Sequence, residues 1–186
     1  MGNLGNTEQN KEREPASMSA IHPASFSDEQ LLKECSERRT RRSGPGGQHR
    51  NKVETAVVLT HEPTGVEAEA NERRSQSENR REALFRLRVR LALAIRTQRP
   101  PEQHPSELWK SRCHNGRISI NPKHEEFPAI IAEAIDILAA NDFEVPTAAT
   151  ALGCTASQLV KLLKDEPKAF ELLNQERTNR GQSRLR

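Results

Sequence analysis

Aromatic residues are scarce in this sequence. Of its 186 residues only 3% are aromatic, tyrosine is absent, and hydrophobic residues of all kinds make up 33%. A core built on large aromatic side chains is therefore excluded, and the core must consist mainly of Leu, Ile, Val and Ala. Because little apolar surface is available to offset the entropy of ordering the chain, we expect part of it to be disordered.

Cysteines are few as well. Cys35, Cys113 and Cys154 are odd in number and far apart along the chain. This excludes the disulfide framework of a small secreted protein and is typical of reduced thiols. We therefore expect a cytoplasmic protein.

Long apolar runs are missing. No run approaches the roughly 18 residues of a membrane span, so we expect no association with membranes. Residues 1–24 contain glutamates, which are atypical of a transit peptide, and lack the apolar stretch of a secretory signal. We interpret this segment as a disordered polar tail.

Positive charge is concentrated in one part of the chain. The formal net charge is only +3, but residues 33–99 hold 16 Lys and Arg against 9 Asp and Glu. The remainder of the chain carries a net negative charge. A basic surface confined to one segment indicates a nucleic-acid partner.

Glycine is concentrated within that basic segment. Residues 43–52 read Ser-Gly-Pro-Gly-Gly-Gln-His-Arg-Asn-Lys, directly after Arg41 and Arg42. Glycine permits backbone conformations that side chains forbid, and Pro45 restricts one φ angle. The pattern predicts an exposed loop of defined shape that carries Gln48 and is flanked by positive charge.

The segment before the loop has two interpretations. Ser27 or Asp28 can cap a helix over about residues 29–39, with acidic side chains in its first turns. A strand over residues 36–42 that leads into the loop is the competing interpretation. The residues alone do not decide between them.

The residues after the loop predict a β-hairpin. β-branched side chains favour a strand from about Ala56 to His61. Residues 62–65, Glu-Pro-Thr-Gly, place proline and glycine where a β-turn prefers them. Residues 66–70 then alternate between apolar and acidic, which indicates a strand with one buried face.

A long basic helix follows the hairpin. Ser75 and Glu78 form a capping box, and leucines at helical spacing continue to about Arg96. We expect this apolar face to pack on the hairpin. The arginines around it are either a solvated helix face or contacts for phosphate, and the absence of acidic residues from Arg86 to Arg99 leaves both interpretations open.

Several prolines interrupt residues 100–127, and we interpret this segment as a linker that folds back and packs on the rest of the protein. Several potential metal ligands lie in it: His104, Cys113, His114 and His124. Their spacing matches no zinc pattern, so we expect no metal and no cofactor.

Helical patterns return in residues 128–176. Their approximate predicted bounds are 128–140, 146–152, 155–163 and 165–177, with Asp165 as the cap of the last helix. The middle pair is spaced as a helix-turn-helix at these positions: Ala149, Gly153, Leu159 and Leu162. One interpretation places a polar set against nucleic acid: Ser157, Gln158, Lys161 and Lys164. With only two lysines on that face, a compact packing unit is the favoured alternative.

The last ten residues are basic. They contain four arginines after the last acidic residue: Arg177, Arg180, Arg184 and Arg186. We expect a flexible tail suited to binding RNA.

Three stretches together point to a known family. Residues 43–52, the turn at 63–65 and residues 73–79, Arg-Arg-Ser-Gln-Ser-Glu-Asn, occur in order at compact spacing. Over about residues 30–96 the chain closely resembles the catalytic domain of class I peptide chain release factors and their ribosome-rescue relatives.

The resemblance implies a ribosomal function. In that family the loop enters the peptidyl transferase centre and promotes attack of water on the ester of the P-site peptidyl-tRNA. The family motif maps onto Gly46, Gly47 and Gln48. The expected partners of the monomer are large-subunit rRNA and peptidyl-tRNA. Besides the four arginines of the tail, the residues expected to bind RNA are Arg41, Arg42, Arg50, Lys52, Arg73, Arg74, Arg80 and Arg81.

The residue types suit that chemistry. The loop contains no carboxylate, but the backbone N–H of Gln48 can stabilise negative charge on a developing oxyanion, an effect worth about 3–4 kcal/mol in other hydrolases. The two glycines allow the backbone to present this N–H. The Gln48 side chain carries both donor and acceptor groups and can orient water.

The sequence also departs from full-length release factors. They carry a large stop-codon-reading domain before the catalytic one, whereas about 42 residues precede the loop here. We therefore expect codon-independent hydrolysis of peptidyl-tRNA, as in ribosome rescue. The alternative is a non-catalytic RNA- or ribosome-binding protein. Arg50 stands where the family commonly has a small aliphatic residue, and nothing in the sequence explains it.

The expected fold class is α+β, with a small sheet and the loop packed on a basic helix, followed by a small all-helical module. The expected segments are a disordered tail, the hydrolysis domain, a linker, the helical module and a basic tail: 1–24, 25–99, 100–127, 128–176 and 177–186.

Overall fold

The computed structural model describes residues 21–40, 55–98 and 105–186, and every structural statement below concerns these residues. Their helices and two small antiparallel sheets confirm the predicted α+β class. Residues 1–20, which include most of the expected disordered tail, lie outside the described residues.

The described chain begins with a short 3₁₀ turn, Pro23–Ser25, and helix α1, Asp28–Lys33. Ser27 is the N-cap of α1. Its hydroxyl accepts the N–H of Gln30, and the Gln30 side chain accepts the N–H of Ser27. This reciprocal capping box explains why α1 starts where the sequence predicts.

Helix α1 is much shorter than the first interpretation expects. Strand β1, Cys35–Thr40, follows it at once and pairs with β2 along its whole length. The predicted helix over 29–39 is therefore wrong beyond Lys33. The competing strand is confirmed over residues 36–40, and its last two residues, 41 and 42, lie outside the described part of the chain. Pairing with β2 supplies the backbone hydrogen bonds that a helix would otherwise provide, so tertiary context overrides local propensity.

The main sheet has three antiparallel strands in the order β1-β2-β3. Strand β2 spans Ala56–His61 and β3 spans Val66–Ala70, which confirms the predicted hairpin. Gly65 has a φ of +69°, as its place at the end of the turn requires. At the opposite end of the hairpin, Val57 pairs with Ala70.

Helix α2, Gln76–Ala94, packs across this sheet. Ser75 caps it by accepting the N–H of Glu78, as predicted. Leu87 and Leu91 are fully buried on its apolar face. The helix ends at Ala94, slightly earlier than predicted, and the Arg96 guanidinium then donates to carbonyls of its last turn.

The proline-rich segment contains more regular structure than its sequence indicates. It forms helix α3, Glu107–Arg112, and a two-stranded ribbon of β4, Cys113–His114, and β5, Arg117–Ile118. Trp109 on α3 is buried, and its Nε1 donates to the Leu152 carbonyl at 2.7 Å. The segment therefore packs on the rest of the protein, as expected, but it does so through a helix and a ribbon that its proline-rich sequence did not predict.

Four helices complete the chain: α4, Phe127–Ala140; α5, Val145–Ala151; α6, Ala156–Lys164; and α7, Pro167–Asn179. Gly153, with a φ of +64°, terminates α5 as predicted. The predicted role of Asp165 is wrong, because Glu166 caps α7 and Asp165 instead ends α6.

The final residues are folded back on this helical module. The backbone N–H of Leu185 donates to the side-chain oxygen of buried Asn174, and the Asn174 side-chain nitrogen donates to the Leu185 carbonyl. Arg177 Nε donates to the Ser183 carbonyl at 3.0 Å. The prediction of a flexible tail is therefore wrong, because buried and half-buried side chains of α7 satisfy its backbone.

One cluster of buried apolar residues runs from Leu31 on α1 to Leu173 on α7, passing through α2 and α4. The sheet and the helical module therefore share a core. The segment boundaries proposed from sequence stay a prediction. Across the three described ranges, no helix combines the length and apolarity that crossing a bilayer requires.

Candidate functional site

The residues expected to act in catalysis, Gly46, Gly47 and Gln48, lie outside the described part of the chain, as do four of the expected RNA contacts: Arg41, Arg42, Arg50 and Lys52. The structure does describe the scaffold on either side of them. Thr40 at the end of β1 pairs with Ala56 at the start of β2. The chain therefore leaves and rejoins the sheet at the same end.

Asn79 ties this end of the sheet to helix α2. Its Nδ2 donates to the carbonyls of Thr55 and Arg73, at 2.7 and 2.9 Å, and its Oδ1 accepts the N–H of Arg73 at 2.8 Å. The residue is fully buried. One side chain thus holds the residue before β2 and the turn before α2 in a common position.

Glu37 joins β1 to the same end of α2. Its carboxylate accepts from Arg80 Nε at 2.7 Å and from Arg39 Nε at 3.1 Å. The hydrogen bond from Arg80, reinforced by Arg39, lowers the pKa of Glu37 below its ordinary value despite partial burial. Two arginines share one carboxylate, so this ion-pair group keeps a net positive charge.

Further arginines at this end have no acidic partner within the described ranges. Arg73 and Arg74 lie in the turn between β3 and α2, and Arg81 lies in the first turns of α2. All three are exposed, and none of them takes part in an ion pair with another described residue. With Arg80, they form a group of exposed guanidinium groups beside the point where residues 41–54 leave and rejoin the sheet.

The arginines further along α2 hold the fold together instead. Arg86 pairs with Glu72 and Glu82, and Arg88 pairs with Asp28 and donates to the Ala24 carbonyl. The sequence left two interpretations for the arginines of this helix, a solvated face and contacts with phosphate. Neither describes Arg86 and Arg88, because both are engaged inside the protein. The structure divides the arginines of α2 by position, with available charge near its start and internal ion pairs further along.

The arginines of the last ten residues form a separate group. Arg177 donates to the Phe143 carbonyl at 2.9 Å, and Arg180 pairs with Glu176 and lies 4.7 Å from the Phe143 ring centroid. These contacts place both side chains on the helical module. The structure does not bring them to the group at the start of α2. Arg184 and Arg186 are exposed in the same tail, and their contribution to RNA binding stays a prediction.

The helix-turn-helix face is partly occupied by internal contacts. The Gln158 side chain accepts the Ile118 N–H at 3.2 Å, which fastens the β4–β5 ribbon to α6. Lys164 Nζ donates to the main-chain oxygen of Arg186 at 2.6 Å and lies over the Phe170 ring. Two of the four residues considered for nucleic-acid binding therefore serve packing, which supports the alternative of a compact unit.

No group of three or more His, Cys, Asp or Glu side chains in the described ranges is arranged to hold a metal ion. Cys113 and Cys154 lie on the ribbon and after α5, and burial raises the pKa of Cys154 to about 11. A thiol with such a pKa is mostly protonated at neutral pH and is a poor nucleophile.

Sequence reasoning assigned no role to Asn79 or Glu37. Asn79 has a recognisable signal, because it occupies the same helical stripe as Ala83, Leu87 and Leu91, which are all fully buried. A polar residue in an apolar stripe needs internal hydrogen-bond partners. Glu37 has no comparable signal, since its partner Arg80 is distant in sequence.

Comparison with known proteins agrees with this scaffold. A family model described as RF-1 domain matches residues 29–127, more than half of the chain. The match extends past α2 through α3 and the ribbon, which the sequence resemblance over 30–96 did not include.

Curated relatives carry release-factor names. The chain is 51% identical over 63 residues to the chloroplastic peptide chain release factor PrfB1 of Arabidopsis thaliana, covering 34% of this chain and 14% of that protein. It is 46% identical over 71 residues to peptide chain release factor 2 of Aromatoleum aromaticum, covering 38% and 19%. The same factor of Burkholderia pseudomallei is 45% identical over 71 residues, with the same coverage.

These matches span less than a fifth of the length of those relatives. The family assignment rests on the RF-1 domain match, which covers the sheet, α1, α2, α3 and the ribbon. The chain therefore belongs to the class I peptide chain release factor family, as a protein with the RF-1 domain that carries the Gly-Gly-Gln motif.

Proposed function

We propose that this chain promotes hydrolysis of peptidyl-tRNA in the peptidyl transferase centre of the ribosome. One observation carries the proposal. The strands that flank the Gly46-Gly47-Gln48 segment in sequence, β1 and β2, are paired at Thr40 and Ala56, and Asn79 and exposed arginines lie at this end of the sheet. A polyanionic partner with a reactive ester suits both the charge and the motif.

The reaction is the addition of water to the ester carbonyl carbon. The bond to the ribose oxygen of the terminal adenosine breaks, which releases a peptide acid and a tRNA with a free ribose hydroxyl. The proton lost by water ends on the leaving ribose oxygen. The chain's own contribution is the Gln48 N–H, which stabilises the developing oxyanion, and the Gln48 amide, which orients the attacking water.

The finer proposal is that release does not require a stop codon. In its support, Arg73, Arg74 and Arg81 make no ion pair with another described residue, and they offer attachment to rRNA that does not depend on codon sequence.

The test measures release of a labelled peptide from ribosomes on an mRNA that ends without a stop codon. We expect release by the wild-type chain and a large loss for Gln48→Ala. Gln48→Pro removes the backbone donor itself, and we expect a loss of about 10²- to 10³-fold. Glu144→Ala, on the helical module, serves as the control and keeps full activity.

A parallel binding measurement separates this function from the alternative of a non-catalytic RNA- or ribosome-binding protein. Both Gln48 variants should sediment with ribosomes as the wild type does. Release that is unaffected in both variants would refute the proposed chemistry, whereas release that needs a stop codon would refute only the codon-independent part.

A further inference from the structure

An open groove of about 600 Å³ lies on the helical module, between the start of α5, one face of α6 and the folded-back tail. We call it the α5–α6 groove. Its apolar lining includes Pro146, Val160 and Leu185, and its cationic lining consists of Lys161, Lys164 and Arg177. Its residues lie outside the region matched to the RF-1 domain.

The apolar side chains of the groove are partly open to solvent. Val160 and Leu185 are half-buried, because each packs against the core on one side, and Pro146 is exposed. Apolar surface of this kind, grouped in a concave site and rimmed by charge, is typical of a binding surface.

No Asp or Glu side chain of the described residues forms an ion pair with a cation of the groove. Lys161 is exposed and makes no ion pair with a described residue. Arg177 donates to the carbonyls of Ser183 and Phe143, whereas Lys164 donates to the main-chain oxygen of Arg186, the last residue of the sequence. Lys161 and Arg177 therefore carry most of the positive charge beside the apolar floor, and Glu144 opposes part of it.

The surroundings favour a protein partner over RNA. Residues 141–186, which include the whole groove and the tail beside it, hold six acidic residues against seven Lys and Arg, so this part of the chain lacks the strong positive net charge typical of a phosphate-binding surface. Gln158 on α6, one of the polar side chains considered for contact with nucleic acid, accepts the Ile118 N–H instead. The apolar side chains of the groove also make no favourable contact with charged, hydrated phosphate groups.

We propose that the α5–α6 groove binds an acidic segment of a protein partner, in which aspartates or glutamates flank aliphatic side chains. The aliphatic side chains contact Pro146, Val160 and Leu185. The carboxylates pair with Lys161 and, at the edges of the groove, with Lys164 and Arg177. This interaction is independent of peptidyl-tRNA hydrolysis and of Gln48.

The probe is a fluorescein-labelled twelve-residue peptide that repeats Asp-Glu-Leu-Leu, titrated with the full chain and followed by fluorescence anisotropy. We expect saturable binding that Lys161→Glu weakens roughly five- to tenfold, because it places a like charge opposite the peptide carboxylates. Lys168→Glu makes the same charge change at an exposed position of α7 outside the groove and should change the Kd less than about twofold.

Two further probes test the chemistry of the partner. A peptide with lysine in place of the acidic residues should not bind, and a labelled single-stranded RNA should bind with an affinity that Lys161→Glu leaves unchanged. Amide chemical shifts of the ¹⁵N-labelled chain should move around Val160 and Leu185 when the acidic peptide is added.

The proposal is overturned if the acidic peptide does not bind below about 1 mM, or if Lys161→Glu and Lys168→Glu weaken it equally. It is also overturned if Lys161→Glu impairs binding of RNA rather than of the peptide. Gln48→Ala should bind the peptide normally, so a failure of the groove proposal is distinguishable from a failure of the release function.

Discussion

At the scale of single residues, Asn79 and Glu37 connect the sheet to the start of α2. Asn79 satisfies two carbonyls and one N–H inside the protein, and Glu37 neutralises part of the positive charge of Arg39 and Arg80. Both act at the end of the sheet where Thr40 pairs with Ala56. Their contributions to stability differ because Asn79 is buried and Glu37 is only partly so.

Replacing Asn79 with alanine should lower the free energy of unfolding by about 1–3 kcal/mol. The cost arises because the Thr55 and Arg73 carbonyls and the Arg73 N–H lose the hydrogen-bond partner that the fully buried Asn79 side chain supplies. Urea denaturation followed by circular dichroism measures it. Arg81→Ala, at an exposed neighbouring position, should change stability by less than about 0.5 kcal/mol. Equal effects of the two substitutions would contradict the assigned role.

Glu37 should make stability depend on pH. Its folded-state pKa is lowered by Arg80 and Arg39, so its contribution is complete above the ordinary glutamate pKa of about 4.3 and is lost as the pH falls through the lower folded-state value. We expect the free energy of unfolding of the wild type to exceed that of Glu37→Gln by about 0.5–1 kcal/mol at pH 7 and by less at pH 3. A difference that does not change between these two pH values would contradict the pairing.

At the scale of elements, the folded-back tail depends on α7. Asn174 accepts the Leu185 N–H at 2.7 Å and donates to its carbonyl at 3.2 Å, so one buried amide replaces the strand or helix partner that this peptide lacks. Leu185 also lines the α5–α6 groove. The position of the tail and the shape of the groove are therefore linked.

Asn174→Ala should release the tail while leaving the helices folded. We expect trypsin to cleave after Arg180 and Arg184 roughly tenfold faster, which corresponds to about 1.4 kcal/mol of lost local stability. Mass spectrometry of the digest over time identifies the sites. Gln175→Ala removes an amide from the next, exposed position and should leave the cleavage rate unchanged. An unchanged rate in Asn174→Ala would show that other contacts hold the tail.

At the scale of the whole molecule, the sheet and the helical module share one core through α2 and α4. Trp109, which is the only tryptophan of the sequence, reports on the module because its indole bonds to Leu152 after α5. Circular dichroism reports on all helices together. The two signals therefore test whether the two parts unfold together.

Leu87→Ala, a fully buried change on α2, should lower the midpoints of both signals together, at a cost of about 2–5 kcal/mol. The wild-type transitions in urea should likewise coincide. If the tryptophan signal kept its wild-type midpoint in Leu87→Ala, the module would be an independent folding unit, contrary to the continuous core.

Much of the fold was predictable because its signals are local. The hairpin follows from the alternation of residues 66–70 and the turn glycine, and α2 follows from the cap at Ser75 and the leucine spacing. The choice between helix and strand for residues 36–40 was not predictable, because it depends on pairing with β2. The same holds for α3, whose burial of Trp109 requires a partner more than forty residues away.

The sequence by itself determined the family, the hairpin with its capped helix, and Gly46, Gly47 and Gln48 as candidate catalytic residues, because backbone permissiveness and motif order are properties of the chain. Only the tertiary structure decided which arginines are available. Arg86 and Arg88 are engaged by carboxylates distant in sequence, whereas Arg73, Arg74 and Arg81 pair with no carboxylate of the described residues. Ion pairs between distant residues leave no periodic signal, so the number of arginines predicts the sign of the surface charge but not its location.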